Sequence, residues 1–97
     1  MPAAYLIVES QVTDPEQFKQ YMSAAPEVVK AFGGEYLVRG GRMHVLEGDW
    51  QPPRLTVLHY PDFEAAKAMY DSPAYTQARA LRAGATAMFN MVIVEGV

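Results

Sequence analysis

Ala3-Ala4-Tyr5-Leu6-Ile7-Val8-Glu9-Ser10-Gln11-Val12-Thr13-Asp14-Pro15 decides the fold, because it reads as a strand running directly into a helix start. Tyr5, Leu6, Ile7 and Val8 are contiguous rather than alternating, the pattern of a strand covered on both faces. Asp14 is placed to accept a bond from an early helix amide and Pro15 suits the first helical position. Gln17 follows three residues after Asp14, a variant of the capping box. Strand one therefore spans Ala3 to Val12, and a helix opens at Pro15.

Working outward, Phe18, Tyr21, Met22, Ala25, Val28, Val29 and Phe32 recur at helical spacing and give that helix one apolar stripe. It ends at Gly33-Gly34, where a left-handed cap costs little, and Pro26 is a point at which it can kink or split. Glu35 to Arg39 reads as a second strand, Gly40-Gly41 as a tight turn, and Arg42 to Glu47 as a short strand or a continuation of the hairpin. Gly48 to Pro53 is a loop. Arg54 to Tyr60 is again a β run, stopped by Pro61, after which Asp62 caps a helix carrying Phe63, Ala66, Met69 and Tyr70.

That helix pauses at Ser72. With Pro73 behind it, Ser72 restarts a helix as its N-cap. Ala74, Ala78, Leu81 and Ala85 form the apolar side of the new helix, with Tyr75, Arg79 and Arg82 beside them. A last strand runs from about Ala87 to Glu95. The order βαββαβ, with its second helix broken, predicts a ferredoxin-like α+β fold over residues 1–97: an antiparallel sheet with helices on one face. The helix-free face of such a sheet should be polar at every second residue. Tyr5 to Val8, Thr56 to Tyr60 and Phe89 to Val94 are instead apolar on both faces, Asn90 being the main exception. A homodimer pressing two such sheets together about a two-fold axis is the simplest cover.

Composition narrows the function. The chain has 97 residues, 51% of them hydrophobic, and 8 basic against 11 acidic side chains leave a net charge of −3. This balance argues against nucleic acid, which rewards a basic face. With no cysteine there is no disulfide framework, thiolate nucleophile or sulfur-ligated zinc. No apolar run approaches the ~20 residues of a membrane span and the N-terminal residues carry no basic stretch, so no membrane partner is expected and the predicted location is the cytoplasm.

Several of these segments together carry a resemblance: the strand-one and Asp14-Pro15 opening; Gly33-Gly34 with Leu37-Val38-Arg39-Gly40-Gly41; Leu46-Glu47-Gly48-Asp49-Trp50; Arg54-Leu55; Tyr60-Pro61-Asp62; Tyr70-Asp71-Ser72-Pro73-Ala74-Tyr75 with Arg79; and Val94-Glu95-Gly96-Val97. In this order they resemble the bacterial family called domain of unknown function 1330, within the dimeric α+β barrel superfamily. The resemblance covers nearly the whole chain. It implies the ferredoxin-like fold, a sheet-to-sheet dimer and a cavity between sheet and helices. It implies no settled activity, since superfamily relatives include cofactor-independent monooxygenases, isomerase-like enzymes, haem-degrading proteins and proteins without known catalysis. The chain departs from the family's expected residues at His44, His59 and Met69.

The candidate ligand-binding residues are Arg39, Tyr70, Tyr75 and Arg79. The guanidinium of Arg39, beside Gly40-Gly41, offers a fork of donors to a carboxylate or enolate, against the plainer reading of a strand arginine paired to an acidic residue. Arg79 follows Tyr75 by one helical turn, so both can face one crevice. The competing reading pairs Arg79 with Asp71 or Glu64. His59, on an otherwise apolar strand, and Tyr75 are the candidate catalytic proton-transfer groups. A half-buried structural role is the commoner fate of a lone histidine.

His44 lies in a hairpin arm, and two histidines without helical pairing predict no metal. Trp50, in the Gly48 to Pro53 loop, reads as a lid over a pocket or, the favoured reading, as an aromatic anchor at the dimer contact. A Pro2 amine freed by loss of Met1 is a remote base candidate that the other motifs do not support. The glycine pairs lack a phosphate-binding frame, so no nucleotide or other cofactor is expected. Two functions follow as expectations. One is a small homodimer holding an anionic or carbonyl metabolite between sheet and helices, including cofactor-independent proton-transfer or monooxygenase-like chemistry. The other is a non-catalytic binding or assembly dimer.

Overall fold

Four strands, β1 (Ala4–Val12), β2 (Glu35–Arg39), β3 (Leu55–Tyr60) and β4 (Thr86–Glu95), form one antiparallel sheet in the order β2-β3-β1-β4. Helices α1 (Pro15–Ala31), α2 (Phe63–Asp71) and α3 (Pro73–Ala80) complete the chain in this computed structural model, which describes residues 2–97. The freeing of a Pro2 amine turns on Met1, which lies outside the described residues. This is the ferredoxin-like α+β fold.

The helix starts form as their sequences require. Asp14 Oδ1 accepts from the Gln17 amide at 3.1 Å, and Asp62 Oδ1 from the Ala65 amide at 2.8 Å. The Gln17 side chain does not reach back to close a capping box. Its Nε2 donates instead to the carbonyls of Leu81 (3.2 Å) and Ala83 (2.6 Å), tying the start of α1 to the turn after α3. α1 runs unbroken through Pro26. At its end Gly33 takes φ +79°, and the Gly34 amide donates back to the Val29 carbonyl at 3.0 Å. A Cβ on Gly34 would stand 2.6 Å from the Tyr60 ring, so glycine here permits helix and sheet to close together.

Alternate β1 residues Ala4, Leu6, Val8 and Ser10 are buried, and Leu6 and Val8, with Leu58 and Tyr60 of β3, meet Val29, Ala66, Met69 and Tyr75 from the helices. The other face carries Tyr5, Ile7, Val57, Val92 and Val94 in register across three strands. Val92 and Val94 are 52% and 45% exposed. The contiguous apolar run at Tyr5 to Val8 thus builds two apolar faces, and one chain covers only one of them.

The anticipated strand at Arg42 to Glu47 is absent. β2 pairs with β3, and Gly40, at φ +71°, donates its amide to the Leu55 carbonyl at 2.9 Å, so Gly40-Gly41 starts a long connection rather than a tight hairpin turn. Residues 41–53 carry apolar side chains outward, with Leu46 86% and Trp50 60% exposed. Among the described residues no strand lies beside 42–47 to pair with it. The buried side of α3 also differs from expectation: Tyr75 and Ala78 are buried while Ala74 is exposed.

Candidate functional site

A cavity of about 40 Å³ lies between α1 and the helix side of the sheet. Three features of the sequence shape it. The stripe on α1 supplies Phe18, Tyr21 and Met22, and the N-cap at Ser72 orients α3 so that Tyr75 points inward. The Tyr75 amide bonds Ser72 Oγ at 3.1 Å, and Tyr75 is only 1% exposed. The third is a β-bulge in β2. Tyr36 pairs with Leu58, yet Val38 rather than Leu37 pairs with Val57. The extra residue reverses the alternation, so Arg39 lines the cavity on the same side as Tyr36.

Two cations stand at one end. Arg39 Nη2 donates to the Met22 carbonyl at 2.7 Å and its guanidinium lies 4.6 Å above the Tyr36 ring. Arg54, just ahead of β3, places its guanidinium 5.7 Å from the Phe18 ring centre, with Nη1 3.7 Å from Met22 Sδ. A Cβ on Gly40 would stand 3.1 Å from Arg54 Nε, so the glycine leaves that guanidinium its room. Among the described residues neither arginine has a carboxylate within 4.0 Å.

The other end is phenolic. The Tyr21 and Tyr75 hydroxyls are 2.8 Å apart, Tyr75 OH lies 3.6 Å from Met91 Sδ, and Arg82 Nη2 approaches Tyr75 OH at 3.4 Å. Burial, with Tyr75 adding to it, raises the Tyr21 pKa far above that of a free phenol. Burial raises Tyr36 too, the nearby Arg39 charge opposing it. Tyr21 and Tyr36 are therefore neutral donors and acceptors near pH 7. Among the described residues no histidine, aspartate or glutamate lines this cavity.

The structure divides the predicted site residues. Arg39 and Tyr75 share the cavity. Tyr70 and Arg79 do not: they border an open groove of about 680 Å³ between α2, α3 and β4. Arg79 takes neither Asp71 nor Glu64 as a partner; its Nη1 donates to Tyr70 OH, while Asp71 is held by Lys67 at 2.6 Å. His59 is on the helix-free face, its ring edge-on to Tyr5 at 5.7 Å and its Nδ1 3.5 Å from Glu35 Oε1. It shares no void with Tyr75, because alternation along β3 sends His59 to one face and Leu58 and Tyr60 to the other. His44 borders a shallow depression with Met43, Leu46 and Trp50. Trp50 Nε1 donates to Glu9 Oε2 at 3.0 Å, which lays the indole against the helix-free face.

Arg54, Tyr21 and Arg82 were not among the predicted site residues. Tyr21 was hidden in a stripe whose spacing also describes plain core, and Arg54 adjoins a β run without marking a face. Arg82 was legible only as a neighbour of Tyr75 and Arg79. Among the described residues no three potential metal-ligating side chains cluster, and no helix is long and apolar enough to cross a membrane.

Sheet order and the helices packed on one face define a protein of the ferredoxin-like α+β class. The chain belongs to the family described as Domain of unknown function (DUF1330), whose profile matches residues 3–97. No curated protein sequence matches it. Among solved structures it is similar to a protein of unknown function from Rhodopseudomonas palustris, at 16% identity over 99% of this chain and 83% of that one, TM-score 0.77. It is also similar to a dimeric ferredoxin-like protein of unknown function from Jannaschia sp. CCS1, at 14% identity over 97% and 99% of the two chains, TM-score 0.74. SnoaB, a cofactor-independent oxygenase from Streptomyces nogalater, shares 9% identity over 100% and 95%, TM-score 0.65. At these identities the likeness concerns the fold.

Proposed function

We propose that this protein is a homodimer binding a small anionic or carbonyl metabolite in the cavity between α1 and the sheet. The carrying observation is the pair of guanidinium groups, Arg39 and Arg54, without carboxylate partners at the end of a largely apolar void. A carboxylate or enolate there would receive charge-assisted hydrogen bonds, and the Tyr21–Tyr75 hydroxyl pair would donate to a carbonyl at the far end. At about 40 Å³ the void exceeds the ~15 Å³ that admits one water.

The cavity favours holding a ligand over turning it over. Proton abstraction next to a carbonyl needs a base, Tyr21 is kept neutral, and the candidate base His59 faces away. A cofactor-independent reaction of the kind named for SnoaB would therefore fall to Tyr75 as the proton-transfer group. The helix-free face supports the dimer: its rows of Tyr5, Ile7, Val57, Val92 and Val94 are the surface a second copy would cover. A purely structural dimer needs that face and leaves the unpaired arginines without a role.

Native mass spectrometry of the purified protein tests the binding reading. A dimer carrying a small-molecule increment that disappears in both Arg39→Met and Arg54→Met supports it. An increment indifferent to both substitutions refutes it.

A further inference from the structure

The groove beyond Arg82 is not part of the cavity, yet it is built from the same kind of chemistry. Lys67 and Tyr70 of α2, Arg79 of α3 and Arg82 in the following turn line one side, while Phe89 and Ile93 of β4 line the other. In a chain of net charge −3, three cations converge here. Among the described residues only Lys67 of the three has an acidic partner, Asp71.

Arg79 is engaged by a neutral phenol, its guanidinium 5.3 Å from the Tyr70 ring centre. Arg82 lies 3.6 Å above the Phe89 ring and meets Tyr75 OH at 3.4 Å, and its Nε is buried without a hydrogen-bond partner. Guanidinium groups stacked on aromatic rings with donors unspent are half-solvated cations awaiting an acceptor.

We propose that this groove is a second ligand site, selective for an aromatic monocarboxylate. Arg79 and Arg82 receive the carboxylate, and the ring lies along Phe63, Phe89 and Ile93. Both parts of such a ligand are needed: the carboxylate meets the open donors, and the flat ring covers apolar surface that a small inorganic anion would leave wet.

Arg82 is also the partition between the two voids. Leu6, Phe89 and Met91 line both, and Arg82 reaches from the groove to Tyr75 of the cavity. A carboxylate in the groove therefore competes with Tyr75 for the same guanidinium. The site does not depend on the cavity holding a ligand.

Titration with benzoate, followed by amide chemical shifts, tests the proposal, with benzamide as the uncharged probe. Saturable benzoate shifts are expected in Arg79, Arg82 and the facing β4 residues. Loss of one charge-assisted contact in Arg79→Met should weaken binding by about 10- to 100-fold, Arg39→Met should leave it unchanged, and benzamide should bind at least about 10-fold more weakly than benzoate. If Arg79→Met unfolds, the benzoate-to-benzamide ratio on the wild-type protein decides alone. The proposal is overturned by no saturable shifts up to about 10 mM benzoate, by equal binding of benzamide, or by benzoate affinity that falls in Arg39→Met and not in Arg79→Met.

Discussion

The hydroxyls of Tyr21 and Tyr75, 54 residues apart in sequence, meet at 2.8 Å and join α1 to α3 across one end of the cavity. The two rings are also packed edge to face, at a centroid distance of 6.3 Å. Removing either hydroxyl leaves its partner short of a neighbour in a low-dielectric site. Tyr75→Phe should destabilise the fold by about 1–2 kcal/mol, and the double variant with Tyr21→Phe should cost less than the sum of the two singles. Urea unfolding of the four proteins measures this coupling.

The same burial predicts alkaline sensitivity. Tyr21 and Tyr60 have folded pKa values raised above the ordinary 10.0, chiefly by burial, so the folded state keeps its phenolic protons where the unfolded chain releases them. Their contribution is present in full below about pH 10 and is lost as pH rises beyond it. Stability should fall above that pH, and Tyr21→Phe should flatten the fall. Phenolate absorbance followed alongside unfolding should show these two groups ionising as the protein unfolds.

The restart at Ser72 gives a third expectation. Ser72 Oγ accepts from the Tyr75 amide and donates to the Met69 carbonyl at 2.7 Å, linking the end of α2 to the start of α3. Ser72→Ala should cost about 1 kcal/mol, read as a lowered thermal midpoint, and Ser72→Asp should recover part of the capping.

Association is the fourth. With Val92 and Val94 half exposed and Tyr5, Ile7 and Val57 between them and β2, sedimentation equilibrium should show a dimer at micromolar concentration. Val92→Lys should shift it to monomer, because a charge would then be buried unpaired at the sheet-to-sheet contact. A wild-type monomer would remove the proposed role of this face.

What the sequence made legible follows from how local each signal is. Asp14-Pro15, Asp62 and Ser72-Pro73 announce helix starts through contacts three residues long, and all three starts formed. The two-faced strands were equally plain, because contiguous Tyr5 to Val8 cannot hide both faces under one helical layer. The connection 41–53 misled because its apolar residues have no partner strand within the chain. The cavity was only half legible. Arg39 faces it through a bulge at Leu37 that no residue type announces, and Arg54 and Tyr21 arrive from elements remote in sequence. His59 was placed by residue chemistry alone, and strand alternation put it on the opposite face.

The central claim is that Arg39 and Arg54 hold a small anionic ligand in the cavity. Thermal denaturation against a panel of short carboxylic and keto acids tests it most directly, on the wild-type protein and on Arg54→Met. A true ligand at about 100 times its dissociation constant should add about 2.7 kcal/mol, and this gain should vanish in Arg54→Met while surviving in Arg79→Met. A panel that leaves the wild-type midpoint unmoved, or a gain that persists unchanged in Arg54→Met, would contradict the account.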